Sequence, residues 1–206
     1  MSDSTYFSIF SLPAHLVIDL PALEKSFYAL SRRLHPDRFA SKSAEEQAAA
    51  LAESSRLNDA YRTLKDPIAR TEYLLKLEGV ELEEQSKSAT EAARASGTAK
   101  KQIVPEDMLE EAFELNMQLE EMRTAKKMGE DDPQLRNDLL VAKAGFDARM
   151  SAMQAELESL WATWDAALDA RDPLAKLAAR DAMVALLNRR SYLRNLVRDV
   201  NDALEA

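Results

Sequence analysis

His35 and Asp37 are the two side chains whose types and spacing most clearly suggest chemistry, because they flank a proline, Pro36. Proline cannot continue a helix, so we expect an imidazole and a carboxylate on an exposed turn between two helices. By itself the tripeptide is a weak signal, since a polar turn that stops a helix can hold the same residues. Its meaning depends on the segments around it.

The rest of the chain offers little for catalysis. The sequence has no cysteine and two histidines, so neither a thiolate nucleophile nor a Cys- or His-rich metal site is expected. Acidic pairs are common, but on long amphipathic helices they are mostly solvated faces, and no nucleophile, base and oxyanion donor come together. We therefore predict no enzymatic activity, no cofactor and no metal site.

The composition predicts an all-α, cytoplasmic protein. Only 4 of the 206 residues are glycine, 46% are apolar, and Ala, Leu, Glu, Arg and Lys dominate. A net charge of −9 disfavours nucleic acid and anionic membranes as partners. The N-terminus lacks the basic region of a secretory signal, and no run reaches the roughly 18 apolar residues of a membrane span.

Four helices are predicted in the first 80 residues, which we expect to form one domain, 1–80. Apolar residues at three- and four-residue spacing mark a helix over 19–34, which ends before Pro36. Ser43 and Glu46 match a capping box that opens the next helix. Asp66-Pro67 then starts the fourth.

The helix before the proline turn carries an unusual charge. Lys25 and Arg32 lie opposite its apolar face, and Arg33 and Arg38 add positive charge beside the turn. We call these four residues the cationic strip. A charge run is usually a solvated face, but the sign of this one opposes that of the whole chain.

The second half of the sequence is expected to form a different domain. Residues 83–102 hold no large apolar side chain, so we predict a linker over 81–104. Three long amphipathic helices follow, and their short connections predict an elongated, antiparallel three-helix bundle over 105–206. The apolar stripe of its second helix, which includes Trp161 and Trp164, is expected to face the bundle core.

Two apolar stripes run along the first bundle helix. One has the spacing of a bundle seam and consists of Met108, Ala112, Leu115, Leu119 and Met122. The other, which we call the apolar strip, consists of Leu109, Phe113 and Met117 and lies about 140° away among several glutamates. The apolar strip is either a binding surface or a second packing face, and periodicity does not decide between them. Tyr192 lies off the stripe of the last helix and is expected to be an exposed surface aromatic.

Residues 5–78 resemble a J domain. The resemblance covers the short first helix, the basic second helix, the His-Pro-Asp turn and a third helix ending in Leu-Asn-Asp-Ala-Tyr-Arg-Thr-Leu over 57–64. It implies a DnaK-type ATPase chaperone as partner. The residues that would dock on that ATPase and accelerate ATP hydrolysis are His35, Pro36, Asp37, Lys25, Arg32, Arg33 and Arg38.

A J domain followed by a three-helix bundle is similar to the HscB co-chaperones of iron–sulfur cluster assembly. The runs at 35–41 and 108–115 are close to that family. The resemblance implies that the bundle binds the scaffold protein IscU and delivers it to the chaperone HscA. The implied scaffold surface consists of Leu109, Phe113, Glu114, Met117, Glu121 and Tyr192. Glu110 stands where the family often has an apolar residue, and Met117 where an acid is common.

Two other interpretations remain open. A general J-domain co-chaperone would share the first 80 residues and bind a different client through its bundle. A helical adaptor with a chance His-Pro-Asp sequence would have no effect on any chaperone ATPase. Measuring ATP hydrolysis separates the adaptor from both co-chaperone interpretations.

Overall fold

The computed structural model describes residues 5–80, 82 and 105–205, and the predicted linker over 81–104 lies outside this part except for residue 82. The described residues contain no strand, which confirms the all-α fold class. The α-helices are α1 (Tyr6–Ile9), α2 (Leu20–Arg33), α3 (Ala44–Lys65), α4 (Pro67–Leu77), α5 (Leu109–Met128), α6 (Pro133–Ala170) and α7 (Pro173–Glu205). Short 3₁₀ turns at Pro36–Phe39 and Glu106–Met108 precede α3 and α5.

The chain divides into two compact units. Unit 1 consists of Met1–Leu82 together with Trp161–Arg180, and unit 2 consists of Glu83–Leu160 together with Asp181–Ala206. Unit 1 therefore takes in the end of α6 and the beginning of α7. The domain expected over 1–80 shares its compact unit with a segment from far along the chain.

The helices of unit 1 begin where local side chains cap them. The Asp19 carboxylate caps α2 by accepting from the Ala22 N–H at 3.0 Å. Ser43 and Glu46 form the complete capping box of α3, with Ser43 Oγ accepting from the Glu46 N–H at 3.2 Å. The Asp66 carboxylate caps α4 at 2.7 Å from the Ala69 nitrogen. These caps fix α2 and α3 on either side of the proline turn.

Residues 161–180 are held to the loop before α2 by buried and part-buried hydrogen bonds. Both carboxylate oxygens of Asp165 accept backbone N–H groups, from Leu16 at 2.8 Å and from Val17 at 2.9 Å. The Trp164 indole N–H donates to the Ala14 carbonyl at 3.3 Å. Trp164, Leu16 and Asp165 are all buried. The indole and the carboxylate thus satisfy loop backbone groups that have no helical partner.

Trp161 makes a second set of contacts within unit 1. Its indole N–H donates to Thr71 Oγ1 at 2.9 Å, and the Arg70 guanidinium lies over its ring at 4.7 Å from the centroid. Arg70 also donates to the Leu64 carbonyl at 2.6 Å. Burial lowers the pKa of Arg70, against the raising effect of Asp66 and Asp165. The expectation that Trp161 and Trp164 face the bundle core is wrong, because both rings pack within unit 1.

Unit 2 contains α5, most of α6 and the later part of α7. The predicted seam of α5 is buried, with each of its five side chains at most 4% exposed. Glu111 pairs with Arg149 of α6, Asp107 pairs with Arg189 of α7 at 2.9 Å, and Lys126 donates to the Leu204 carbonyl at 3.3 Å. Contacts from α5 to both other helices match the expected three-helix arrangement.

Candidate functional site

The proline turn is a short 3₁₀ helix whose first residue is Pro36 and whose N-cap is His35. The His35 ring nitrogen Nδ1 accepts from the Asp37 N–H at 3.3 Å, and the Asp37 carboxylate lies 3.4 Å from the same nitrogen. A neutral ring that accepts at Nδ1 carries its proton on Nε2. The turn thus presents an imidazole and a carboxylate side by side. The Pro36 side chain lies outside the described part of the structure.

Both polar side chains of the turn are accessible to a partner. The His35 side chain is 54% exposed and the Asp37 side chain 89% exposed. Neither packs into the interior of unit 1, as the sequence predicts. Exposed in this way, the two side chains are placed to form hydrogen bonds with another molecule.

The cationic strip lies along α2 and in the turn, with its side chains open to solvent. Lys25, Arg32, Arg33 and Arg38 are all exposed. Arg32 and Arg33 lie in the last turn of α2, where the helix dipole favours positive charge. The strip is therefore available to an acidic surface, and charge of this kind accelerates encounter more than it adds affinity.

The apolar strip of α5 is also open. Leu109 is 52%, Phe113 66% and Met117 54% exposed, while the seam beside it is buried. Glu110, Glu114 and Glu121 are exposed around it. Of the two interpretations of this strip, packing against another part of the described chain is therefore wrong. Three exposed large apolar side chains rimmed by carboxylates are typical of a protein-binding surface.

Tyr192 does not belong to that surface as an exposed ring. The side chain is only 7% exposed, so the expectation of a surface aromatic is wrong. Its neighbour Leu193 is buried too, and so are both Leu186 and Leu187. A helix that packs against two others buries a face wider than one stripe, and Tyr192 lies in that wider face.

Burial of Tyr192 leads to a prediction about alkaline pH. Burial raises the pKa of the Tyr192 phenol, with further raising by Asp199 and Glu111. Because the folded pKa exceeds the unfolded one, the stability contributed by the neutral phenol is present below pH ~10 and declines as pH rises through the folded pKa. Tyr192→Phe should remove the latest-titrating part of the phenolate absorbance at 295 nm. An unchanged late phase would mean that Tyr192 titrates as an open phenol.

One exposed aromatic on the candidate surface escaped the sequence reasoning. Tyr28 is 55% exposed on α2, between Lys25 and Arg32. The signal was available, because Tyr28 follows Lys25 by three residues and precedes Arg32 by four, which places all three on one helix face.

The described residues hold no group of three or more His, Cys, Asp or Glu side chains arranged to hold a metal ion. Among the same residues, no helix combines the length and the apolar character that crossing a membrane requires.

Comparison with known proteins gives a likeness in fold. No family model matches the chain. Chaperone HscB from Vibrio cholerae is 24% identical, with 98% of each chain covered and a TM-score of 0.57. The crystal structure of human co-chaperone protein HscB is 21% identical and covers 98% of this chain and 82% of its own, with a TM-score of 0.56. The chain therefore has the fold of these two proteins, as the resemblance in sequence predicts.

Proposed function

We propose that the chain, which has the HscB fold, is a J-domain co-chaperone that stimulates the ATPase of the DnaK-type chaperone HscA and delivers the scaffold protein IscU to it. In this role the chain has no active site of its own. The function is to present two protein-binding surfaces, one in each compact unit.

The observation that carries the proposal is the open proline turn. His35 and Asp37 are exposed on a 3₁₀ turn whose backbone is held by the Arg38 N–H donating to the His35 carbonyl at 3.0 Å. A fixed backbone lowers the entropy that a partner must remove on binding. The cationic strip beside the turn guides an acidic ATPase surface toward it.

Steady-state ATP hydrolysis tests the proposal. HscA and DnaK are each measured alone, with the chain, with IscU, and with both. The proposal expects the chain to raise the rate of HscA, and IscU to raise it further. Stimulation of DnaK alone would favour the general J-domain co-chaperone, and no stimulation of either ATPase would favour the helical adaptor.

The scaffold-binding half of the proposal rests on the apolar strip of α5. The exposed side chains of Leu109, Phe113 and Met117 supply an apolar contact area, and the glutamates around them favour a client surface with basic residues. Apolar anchors within a polar rim are the usual anatomy of a protein interface. The remaining proposed contacts are Glu114 and Glu121, which lie on the rim.

Removing two anchors should weaken scaffold binding strongly. Leu109→Ala combined with Phe113→Ala is expected to cost roughly 2–4 kcal/mol, or about 30-fold or more in Kd for IscU, if both side chains fill pockets on the client. Isothermal titration calorimetry measures the Kd. Stability should change little, since both side chains are exposed in the free protein.

The matched control is Leu140→Ala combined with Val141→Ala on α6. These side chains are 46% and 64% exposed, close to the values for the tested pair, but they are not part of the apolar strip. The control should bind IscU as the unmodified chain does. Equal Kd values for the two double variants would show that the apolar strip is not the scaffold-binding surface.

A further inference from the structure

Tyr28 is unlike the other aromatic residues around it. Its side chain is 55% exposed, whereas the other described aromatic side chains of unit 1 are buried or partly buried. The residue lies in α2, on the side opposite the buried Leu23. Packing within unit 1 therefore leaves more than half of a large amphipathic ring in solvent.

The ring is nevertheless held by a row of aromatic contacts. Tyr28 packs on Phe27 with ring centroids 5.5 Å apart, and Phe27 stacks on Tyr61 of α3 at 4.1 Å with an interplanar angle of 12°. The Tyr61 hydroxyl donates to Glu24 at 3.2 Å, and the Lys65 ammonium lies 5.4 Å from the Tyr61 ring centroid. Tyr28 is thus supported from the α2–α3 interface, so binding would remove less conformational freedom than for a free side chain.

Charge around Tyr28 indicates the chemistry of its partner. Lys25 and Arg32 flank it on the same helix face, and both are exposed. The sign of this face is opposite to the net charge of −9 of the whole chain, and it favours a partner surface that carries carboxylates. An aromatic ring between two cations fits a surface that offers an apolar recess edged by carboxylates.

We infer that Tyr28 is an aromatic anchor of the chaperone-docking surface, and that the ATPase partner has an apolar recess, bordered by acidic side chains, that receives this ring. The inference rests on the proposed function and adds a division of roles to it. The cations accelerate encounter, and their contribution weakens as the salt concentration rises. Tyr28 slows dissociation by burying apolar area, and its contribution does not depend on salt.

The test measures HscA ATPase stimulation against the concentration of the full chain at several salt concentrations. Tyr28→Ala should raise the half-saturating concentration about tenfold, the usual effect of losing an interface anchor, with the same maximal rate. Tyr28→Phe keeps the apolar ring and should stay close to the unmodified chain. Tyr28→Gln, a good helix former of similar length, should resemble Tyr28→Ala if the alanine variant folds poorly.

Two further variants separate the role of Tyr28 from that of the cations. Arg32→Gln should also raise the half-saturating concentration. In this variant that concentration should depend less on salt than in the unmodified chain, because one charge contact that salt screens is gone. Tyr28→Ala should keep the salt dependence of the unmodified chain. Val141→Ala, which truncates a side chain 64% exposed in unit 2, should change neither quantity.

Three other outcomes would contradict the anchor role, the division of roles or the proposed function. A half-saturating concentration within about twofold for Tyr28→Ala and Tyr28→Gln would make the ring an ordinary surface aromatic and leave the proposed function intact. A loss of salt dependence in Tyr28→Ala equal to that of Arg32→Gln would refute the division of roles. No stimulation by the unmodified chain would refute the proposed function, and the anchor with it.

Discussion

His35→Gln should abolish stimulation of the HscA ATPase while leaving the fold unchanged. The His35 side chain is 54% exposed, and its described contact is with Asp37, two residues later in the same turn. Glutamine can still accept at the cap, but it replaces the imidazole donor and its rigid plane. The measurement is steady-state ATP hydrolysis, with helicity followed by circular dichroism.

The control for this substitution is Arg62→Gln on α3. Its side chain is 76% exposed and pairs with Asp59 at 2.5 Å, three residues earlier, so the change removes an exposed positive charge from the same unit. Stimulation should persist in this variant. Full stimulation by the His35→Gln protein would show that the turn is not the docking element.

Trp164→Ala should destabilise unit 1 by about 3–5 kcal/mol, the range for removing a fully buried tryptophan. The ring is 1% exposed, its N–H donates to the Ala14 carbonyl, and the Lys176 ammonium lies 5.0 Å from its centroid. Its loss leaves a cavity and an unpaired carbonyl in the loop that leads into α2. Urea unfolding measures the change.

The sequence provides a convenient probe for this experiment. The chain has two tryptophans, 161 and 164, and both belong to unit 1. In Trp164→Ala the remaining fluorescence therefore reports unit 1 alone, while circular dichroism reports both units. Leu174→Ala, which truncates a 78% exposed side chain in the same segment, should leave the unfolding midpoint nearly unchanged. Equal midpoints for the two variants would mean that residues 161–180 do not stabilise unit 1.

Local signals in the sequence predicted the helices around the turn well. Asp19, Ser43 and Asp66 cap helices because their short side chains reach N–H groups within the same few residues, and Pro36 ends α2 by removing a donor. The seam of α5 was equally predictable, since its spacing matches the helical period. Such features depend on neighbours along the chain.

Long-range contacts were not predictable in this way. Asp165 meets Leu16 across 149 residues, and no periodicity in either segment shows which distant backbone it will satisfy. Trp161 and Trp164 have the spacing of a bundle stripe, but the period states only that the face is buried, not against which unit. Tyr192 was misplaced for a related reason, because the width of a buried face depends on how many helices pack against it.

The candidate surfaces also combine features that are local in the sequence with features that depend on packing. The exposure of His35 and Asp37 followed from the proline stop, whereas the helical period identified the apolar strip without deciding whether it is exposed. Tyr28 could have been placed on the cationic face by counting residues, but its support by Phe27 and Tyr61 depends on how α2 and α3 pack. Binding by any of these residues stays a prediction.

The most direct test of the central claim is a single-turnover measurement of ATP hydrolysis by a preformed HscA–ATP complex mixed with the full chain. A single turnover isolates the hydrolysis step from nucleotide release. If the chain stimulates HscA, the hydrolysis rate rises with the concentration of the chain and reaches a plateau. A rate that stays at the value for HscA alone, at every concentration of the chain, would contradict the proposed stimulation.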